Sequence, residues 1–261
     1  MQRVLFHETV FGPIHSRRLG ISLGINLLPN DGKVCTFDCL YCEAGYNAQG
    51  AGTTGLPPRE KVAAELEAKL SSMKENNEQL DVITFSGNGE PTIHPSFKEI
   101  IDDTIALRNR YFPDVKISVL TNSTQLADRD DVIEALLKVD NPIAKLDSAI
   151  PATLSILDRP QHPRYTPSIA ATGIKRLGDK VIIQTMLLRG TAANLEPIDN
   201  TTPAEVDALV NLIREINPRG VMLYSIDRAT PCTTLTRVSR EDMLQIASRM
   251  EAAGIKNVTV N

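Results

Sequence analysis

At 261 residues, with 42% hydrophobic and 23% charged residues, the chain has the apolar content to bury one substantial core, which excludes an intrinsically disordered protein. A formal charge of -4, from 28 Lys+Arg against 32 Asp+Glu, provides no global attraction to a nucleic-acid backbone. No run approaches the roughly 20 apolar residues of a membrane-spanning helix, and the opening residues MQRVLFHETVFGP lack a signal peptide's apolar core, so a cytoplasmic protein is expected.

In chain order, a polar, doubly basic segment, Phe11-Gly12-Pro13-Ile14-His15-Ser16-Arg17-Arg18-Leu19-Gly20, leads into a first expected strand at residues 19–28. Residues 29–56 then show no periodicity. A helix follows over 58–73, with Val62, Leu66, Leu70 and Met73 on one face. Further apolar, β-branched runs at 81–85, 115–120, 142–146, 181–188 and 221–226 read as buried strands. A helix over 203–216 carries Val206, Leu209, Val210, Ile213 and Ile216, and a last helix over about 240–253 ends at Gly254, before a short edge strand at 258–260. This alternation predicts βα units, right-handed crossovers and a parallel sheet closed into a barrel or part-barrel, as a single domain over residues 1–261.

The aperiodic connection, a loop at about 29–57, is far longer than the median of about 4–6 residues in compact domains, and such loops usually carry function. It holds Cys35, Cys39 and Cys42 in Cys-x3-Cys-x2-Cys spacing, while Cys232 stands alone as an ordinary thiol. Clustered thiols are not a dispersed disulfide framework; they point to metal. Three close thiolates can wrap a cubane cluster and leave a fourth iron open. A zinc site and three merely buried cysteines remain as alternatives, although zinc in structural sites is normally closed by four ligands.

With Tyr41 just before the last cysteine, this motif resembles the signature of radical S-adenosylmethionine enzymes. The resemblance extends to Ser86-Gly87-Asn88-Gly89-Glu90-Pro91-Thr92, which is similar to that family's Gly-Gly-Glu-Pro element. It implies an α/β fold, a partial (β/α)6 radical SAM barrel with parallel strands. It also implies a [4Fe-4S] cluster on Cys35, Cys39 and Cys42, and S-adenosyl-L-methionine chelating the open iron and cleaved to a 5'-deoxyadenosyl radical that abstracts hydrogen. Gly87, Asn88, Gly89 and Glu90 would receive the cofactor's ammonium group, and Tyr41 would pack beside its adenine. The strand-end residues Thr121, Asn122 and Ser123, Lys145 and Asp147, and Gln184 are candidates for the ribose and carboxylate, with Asn122, Asp147 and Gln184 taken as cofactor-binding. His94 reads as a turn residue, and His15 belongs to the basic segment.

The pattern from Phe11 to Gly20, the Lys33-to-Cys42 loop and Tyr224-Ser225-Ile226-Asp227-Arg228 resemble the branch related to wyosine-synthesising tRNA enzymes. Those archetypes carry a second cysteine set; this chain's four cysteines cannot supply one. Lys33 could carry a Schiff base with a carbonyl substrate or simply be solvated. The resemblance further implies an electron donor such as flavodoxin or ferredoxin and a substrate that is tRNA, protein or a small molecule, with no membrane partner. Two alternatives stay open: a glycyl-radical-type activase acting on a protein partner, and a non-catalytic iron–sulfur or zinc-binding protein.

Overall fold

The β-branched, apolar runs become neighbouring strands of one sheet, because residues with branched Cβ atoms pack well on a pleated surface buried on both faces. A computed structural model describes residues 3–16, 19–192 and 196–261. Its strands are β1 (Val10–Ser16), β2 (Gly20–Ile25), β3 (Val82–Phe85), β4 (Lys116–Thr121), β5 (Asn141–Lys145), β6 (Ile182–Thr191), β7 (Pro197–Asp199), β8 (Gly220–Ser225), β9 (Leu235–Arg237) and β10 (Val258–Val260). The helices are α1 (Arg59–Glu75), α2 (Phe97–Tyr111), α3 (Asp130–Lys138), α4 (Pro151–Leu157), α5 (Pro167–Lys175), α6 (Pro203–Ile216) and α7 (Arg240–Ala252).

The sheet order is β1-β2-β3-β4-β5-β6-β8-β10, and every pairing from β2 to β10 along this path is parallel. This is the expected mixed α/β architecture, a mostly parallel partial barrel. Side chains alternate across the sheet. Leu23, Ile25, Ile83, Phe85, Ile117 and Val119 join the main core with Val62, Leu66, Leu70 and Met73 of α1. The alternate positions Ser22, Thr84, Ser86, Leu120, Gln184 and Met222 line a cavity of about 140 Å³ on the other face.

Helix ends follow from local chemistry. Thr202 and Ser239 accept from the backbone N–H of Glu205 and Asp242, satisfying donors that α6 and α7 would otherwise leave free. Gly254 follows α7 at φ +88°, as expected for a left-handed stop.

Three boundaries differ from expectation. The first parallel strand ends at Ile25 rather than running to residue 28, because Asn26 turns the chain: its Oδ1 accepts from Leu28 N and its Nδ2 donates to Leu28 O. The segment expected only to lead into that strand is itself β1, antiparallel to β2 with an irregular register between Phe11 and Ile14. An edge position tolerates Pro13, which has no N–H to donate to a ladder. His15 sits exposed opposite Ile21, at the end of β2 remote from the cysteine loop, and Arg17 and Arg18 lie outside the described residues. Finally, β6 overruns its expected end at residue 188 and pairs antiparallel with β7 and β9. Among the described residues, no helix is long and apolar enough to cross a membrane.

Candidate active site

The loop after β2 carries the cysteines, and the turn after β3 carries Gly87 to Glu90. They meet through a parallel bridge between Val34 and Gly89: Val34 N donates to Asn88 O (3.0 Å) and Glu90 N donates to Val34 O (3.2 Å). The contact requires glycine, since a Cβ on Gly89 would lie 1.8 Å from Val34 O. Asn88 is buried and committed to protein. Its Nδ2 donates to Phe6 O and Pro29 O, both at 2.8 Å, and its Oδ1 accepts from Phe6 N (2.9 Å).

Glu90, 2% exposed, joins the turn to the end of β4. Oε1 accepts from Thr92 N, Thr92 Oγ1 (2.6 Å) and Thr121 Oγ1 (2.8 Å), and Oε2 accepts from Asn122 N (2.6 Å). Burial raises its pKa, and these four hydrogen bonds oppose the rise. Asn122 continues the chain of contacts, donating from Nδ2 to Thr36 Oγ1 (2.8 Å) and, at 3.6 Å, to Cys35 Sγ. Three separate segments thus converge on Cys35.

The three thiols are free and form no disulfide. Burial pushes Cys35 up to about 12 and Cys39 well above its ordinary value, so without a metal both are neutral thiols. Among the described residues, no three Cys, His, Asp or Glu side chains are grouped to hold a single metal ion. Lys33, 2% exposed, donates from Nζ to Gly45 O (2.7 Å) and lies 3.5 Å from Asp38 Oδ1. Burial opposes its charge, yet the surrounding Cys42, Cys35, Cys39 and Asp38 raise its pKa, which disfavours the neutral amine that a Schiff base requires.

A second buried cluster lies at the ends of β5 and β6. Lys145 Nζ contacts Asp147 Oδ2 and donates to Asp158 Oδ1 (2.5 Å). Tyr41 OH donates to Asp147 Oδ2 (2.5 Å), Met186 N donates to Asp147 Oδ1 (3.0 Å), and Lys145 Nζ lies 5.2 Å from the Tyr41 ring centre. Burial pushes Asp158 up to about 7 against the pull of Lys145. Gln184, paired in register with Lys145, lines the cavity beneath. Ser123 adopts φ +71° and donates to Lys145 O at 3.4 Å.

The geometry therefore brings Cys35, Glu90 and Asn122 together, with Cys39 and Cys42 on the same loop, and Tyr41, Asp147 and Lys145 into a second cluster. His94 is a turn residue: Nδ1 accepts from Ser96 N, so Nε2 carries the proton and donates to Pro57 O (3.0 Å). Sequence reasoning passed over Asp158, Asn47 and Thr36. Asn47 Nδ2 donates to Cys35 O and Phe37 O, shaping the cysteine loop from within. The Asp158-Arg159-Pro160 breaker after the short α4 was the available signal for Asp158. Cys232 is buried, its N–H donating to Leu40 O at 3.3 Å.

Comparison with known proteins places this geometry in context. A family model described as the radical SAM superfamily matches residues 30–201. A UPF0026 protein of Synechocystis sp. is 32% identical over 227 residues, covering 85% of this chain and 77% of that protein. A protein of Brachyspira hyodysenteriae described as GTPase Obg is 27% identical over 248 residues, covering 94% of this chain; the chain spans only 34% of that protein's length. Among solved structures, a radical SAM methyltransferase from Sphaerobacter thermophilus is similar with a TM-score of 0.63 at 18% identity, covering 92% of this chain and 65% of that one. TYW1 with a lysine-pyruvate adduct bound is similar with a TM-score of 0.59 at 15% identity, covering 90% and 75%. These two likenesses are of fold.

Proposed function

The chain belongs to the radical SAM superfamily and to the UPF0026 proteins, and from that premise we propose that Cys35, Cys39 and Cys42 hold its [4Fe-4S] cluster, with the Gly87–Glu90 turn and Asn122 forming the adjoining S-adenosylmethionine site. Bound together, cluster and cofactor supply a 5'-deoxyadenosyl radical that takes a hydrogen atom from the substrate. The observation that carries the assignment is the Val34–Gly89 bridge, which sets the cysteine loop against the glycine turn, with Asn122 touching both Glu90 and Cys35.

The residues fit the group. Three free thiols, two of them held neutral by burial, need a cationic iron centre to become thiolates, and Lys33 adds a positive charge beside them. A closed zinc site would need a fourth ligand, and the loop over 29–57 offers three cysteines and no histidine. Glu90 Oε2 accepts from Asn122 N, and its second lone pair can accept from the cofactor's ammonium group. Asn88 is assigned to positioning, because both its amide hydrogens are spent on Phe6 and Pro29. Tyr41 and Asp147 orient each other beside the site, and Gln184 faces the cavity below it.

The cavity inside the barrel, lined by hydroxyl, amide and apolar groups, reaches Ile14, Ser16 and Leu19 at the end of β2 remote from the cysteine loop. The tRNA reading rests on the sequence pattern from Phe11 to Gly20, the Lys33-to-Cys42 loop and the segment from Tyr224 to Arg228; Arg228 pairs with Glu43 of the cysteine loop (2.7 Å). Activation of a protein partner is the other reading that needs a single cluster. The test of the cofactor site is Glu90→Gln in the reconstituted protein. Cluster absorbance should persist while S-adenosylmethionine binds about tenfold more weakly by anaerobic calorimetry, as loss of a charged acceptor implies; unchanged affinity would remove Glu90 from the site.

A further inference from the structure

The stretch of cysteine loop from Thr36 to Leu40 is clasped by residues 157–161, the end of α4 and the turn beyond it. Leu40 N donates to Leu157 O (3.0 Å), Asp38 N donates to Asp158 O (3.0 Å) and Arg159 O (3.2 Å), and Gln161 N donates back to Thr36 O (2.8 Å). Arg159 Nη2 lies 3.4 Å from Asp38 Oδ2, and Phe37 packs edge-on against Tyr165 with ring centres 5.4 Å apart. The clasp is itself anchored. Asp158, 1% exposed, accepts at Oδ1 from Lys145 Nζ (2.5 Å) at the end of β5, so one residue ties its side chain to the sheet and its carbonyl to the middle of the loop. Arg159 takes the left-handed position, φ +46°, that ends helices and usually falls to glycine, and the turn it makes presents two carbonyls to Asp38 N.

This clasp decides which donors the sulfurs receive. Backbone N–H groups of a cysteine loop lie close to its thiolates, and hydrogen bonds to sulfur, together with exposure to water, set a cluster's reduction potential. Here Asp38 N and Leu40 N are spent on the clasp, and Cys42 N is spent on Cys39 O (3.2 Å). Phe37 N, at 3.5 Å, and Asn122 Nδ2, at 3.6 Å, are instead directed at Cys35 Sγ.

Resting on the cluster assignment above, we propose that Asp158 is a positioning residue for the iron–sulfur cluster: anchored by Lys145, it holds the 157–161 turn against the loop, keeps the Asp38 and Leu40 N–H groups off the thiolates and so holds the reduction potential low. Loosening the clasp frees those donors to turn toward sulfur and admits water. Both stabilise the reduced, more negative cluster and raise its potential. The negative charge of Asp158 also lowers the potential, so charge and hold have to be separated by experiment.

The test compares Asp158→Asn, whose carboxamide oxygen still accepts from Lys145, with Asp158→Ala, which offers no acceptor; both remove the same charge. In the full chain reconstituted with iron and sulfide, hydrogen–deuterium exchange read by mass spectrometry reports on the clasp, and a redox titration followed by electron paramagnetic resonance reports the potential. Residues 36–40 should be protected in wild type, exchange at least about tenfold faster in Asp158→Ala and stay within about twofold of wild type in Asp158→Asn, with α6 unchanged in both. The potential of Asp158→Ala should lie above that of Asp158→Asn by about 59 mV or more, a tenfold change in a one-electron equilibrium. Equal exchange or equal potentials in the two variants would reduce Asp158 to a charge and overturn the positioning role, as would acceleration that extends to α6. If Asp158→Ala does not fold, the other two proteins decide: protection of residues 36–40 that survives in Asp158→Asn sustains the clasp, and free exchange there in wild type overturns it. A wild type that takes up no cluster would sink the cluster assignment instead, with exchange still judging the clasp.

Discussion

The outer helical layer and the cysteine loop are held together by different physics. In the layer, α1 buries Val62, Leu66, Leu70 and Met73 against alternate residues of the sheet, and any apolar side chain of similar size would serve. In the loop over 29–57 there is one short 3-10 turn, and nearly every residue of consequence is fixed by a specific polar contact: Lys33 to Gly45, Asn47 to Cys35 and Phe37, Thr36 to Asn122. Stability is supplied by non-directional burial in the first region, and geometry by directional bonds in the second. A substitution in one should therefore leave the function of the other largely intact.

The largest expected effect is on the loop side. Cys39→Ala should abolish cluster incorporation and cofactor cleavage together, while thermal unfolding by circular dichroism stays near wild type; iron and sulfide content at wild-type levels would refute the ligand assignment. Next comes Lys145→Met, where the two regions touch. It leaves Asp147 and Asp158 buried without their cation, and denaturant titration should find a loss of about 3–5 kcal/mol at neutral pH. That loss should shrink as the pH falls, because protonation of Asp158, already pushed up to about 7, removes a stranded charge. A loss that is independent of pH would contradict the role given to this cluster.

Leu70→Ala sharpens the comparison from the other side. It should destabilise by about 2–5 kcal/mol through the cavity it leaves, with the cluster's spectrum and cofactor affinity unchanged; an altered spectrum would show that layer and loop are not separable. The smallest effect concerns His94. Burial lowers its pKa, so below the usual histidine range the native state binds fewer protons than the unfolded one, and stability is full above that range and lost as pH falls through it. Wild type should weaken more than His94→Gln between about pH 7.5 and about pH 5.5. Parallel curves would show that His94 titrates normally.

The same contrast explains what was legible in the sequence. Periodic burial announces itself within a dozen residues, so α6 is found at Pro203–Ile216 and six parallel strands near their expected places. The cysteine triad is legible because its spacing is local. Asn88 is not, because its partners Phe6 and Pro29 lie 82 and 59 residues away. Nor is the Tyr41–Asp147 bond, which spans 106 residues, or β1, whose Gly12-Pro13 pair disguises an edge strand. Contacts of this length leave no periodic trace in the chain.

The central claim is that the cysteine loop and the glycine turn together make one cofactor site. Anaerobic reconstitution with iron and sulfide, followed by electron paramagnetic resonance of the reduced protein with and without S-adenosylmethionine, tests it most directly. A reduced-cluster signal that changes when the cofactor is added, accompanied by formation of 5'-deoxyadenosine, is the predicted result. A cluster whose signal ignores the cofactor, or a protein that binds zinc in place of a cluster, would contradict it.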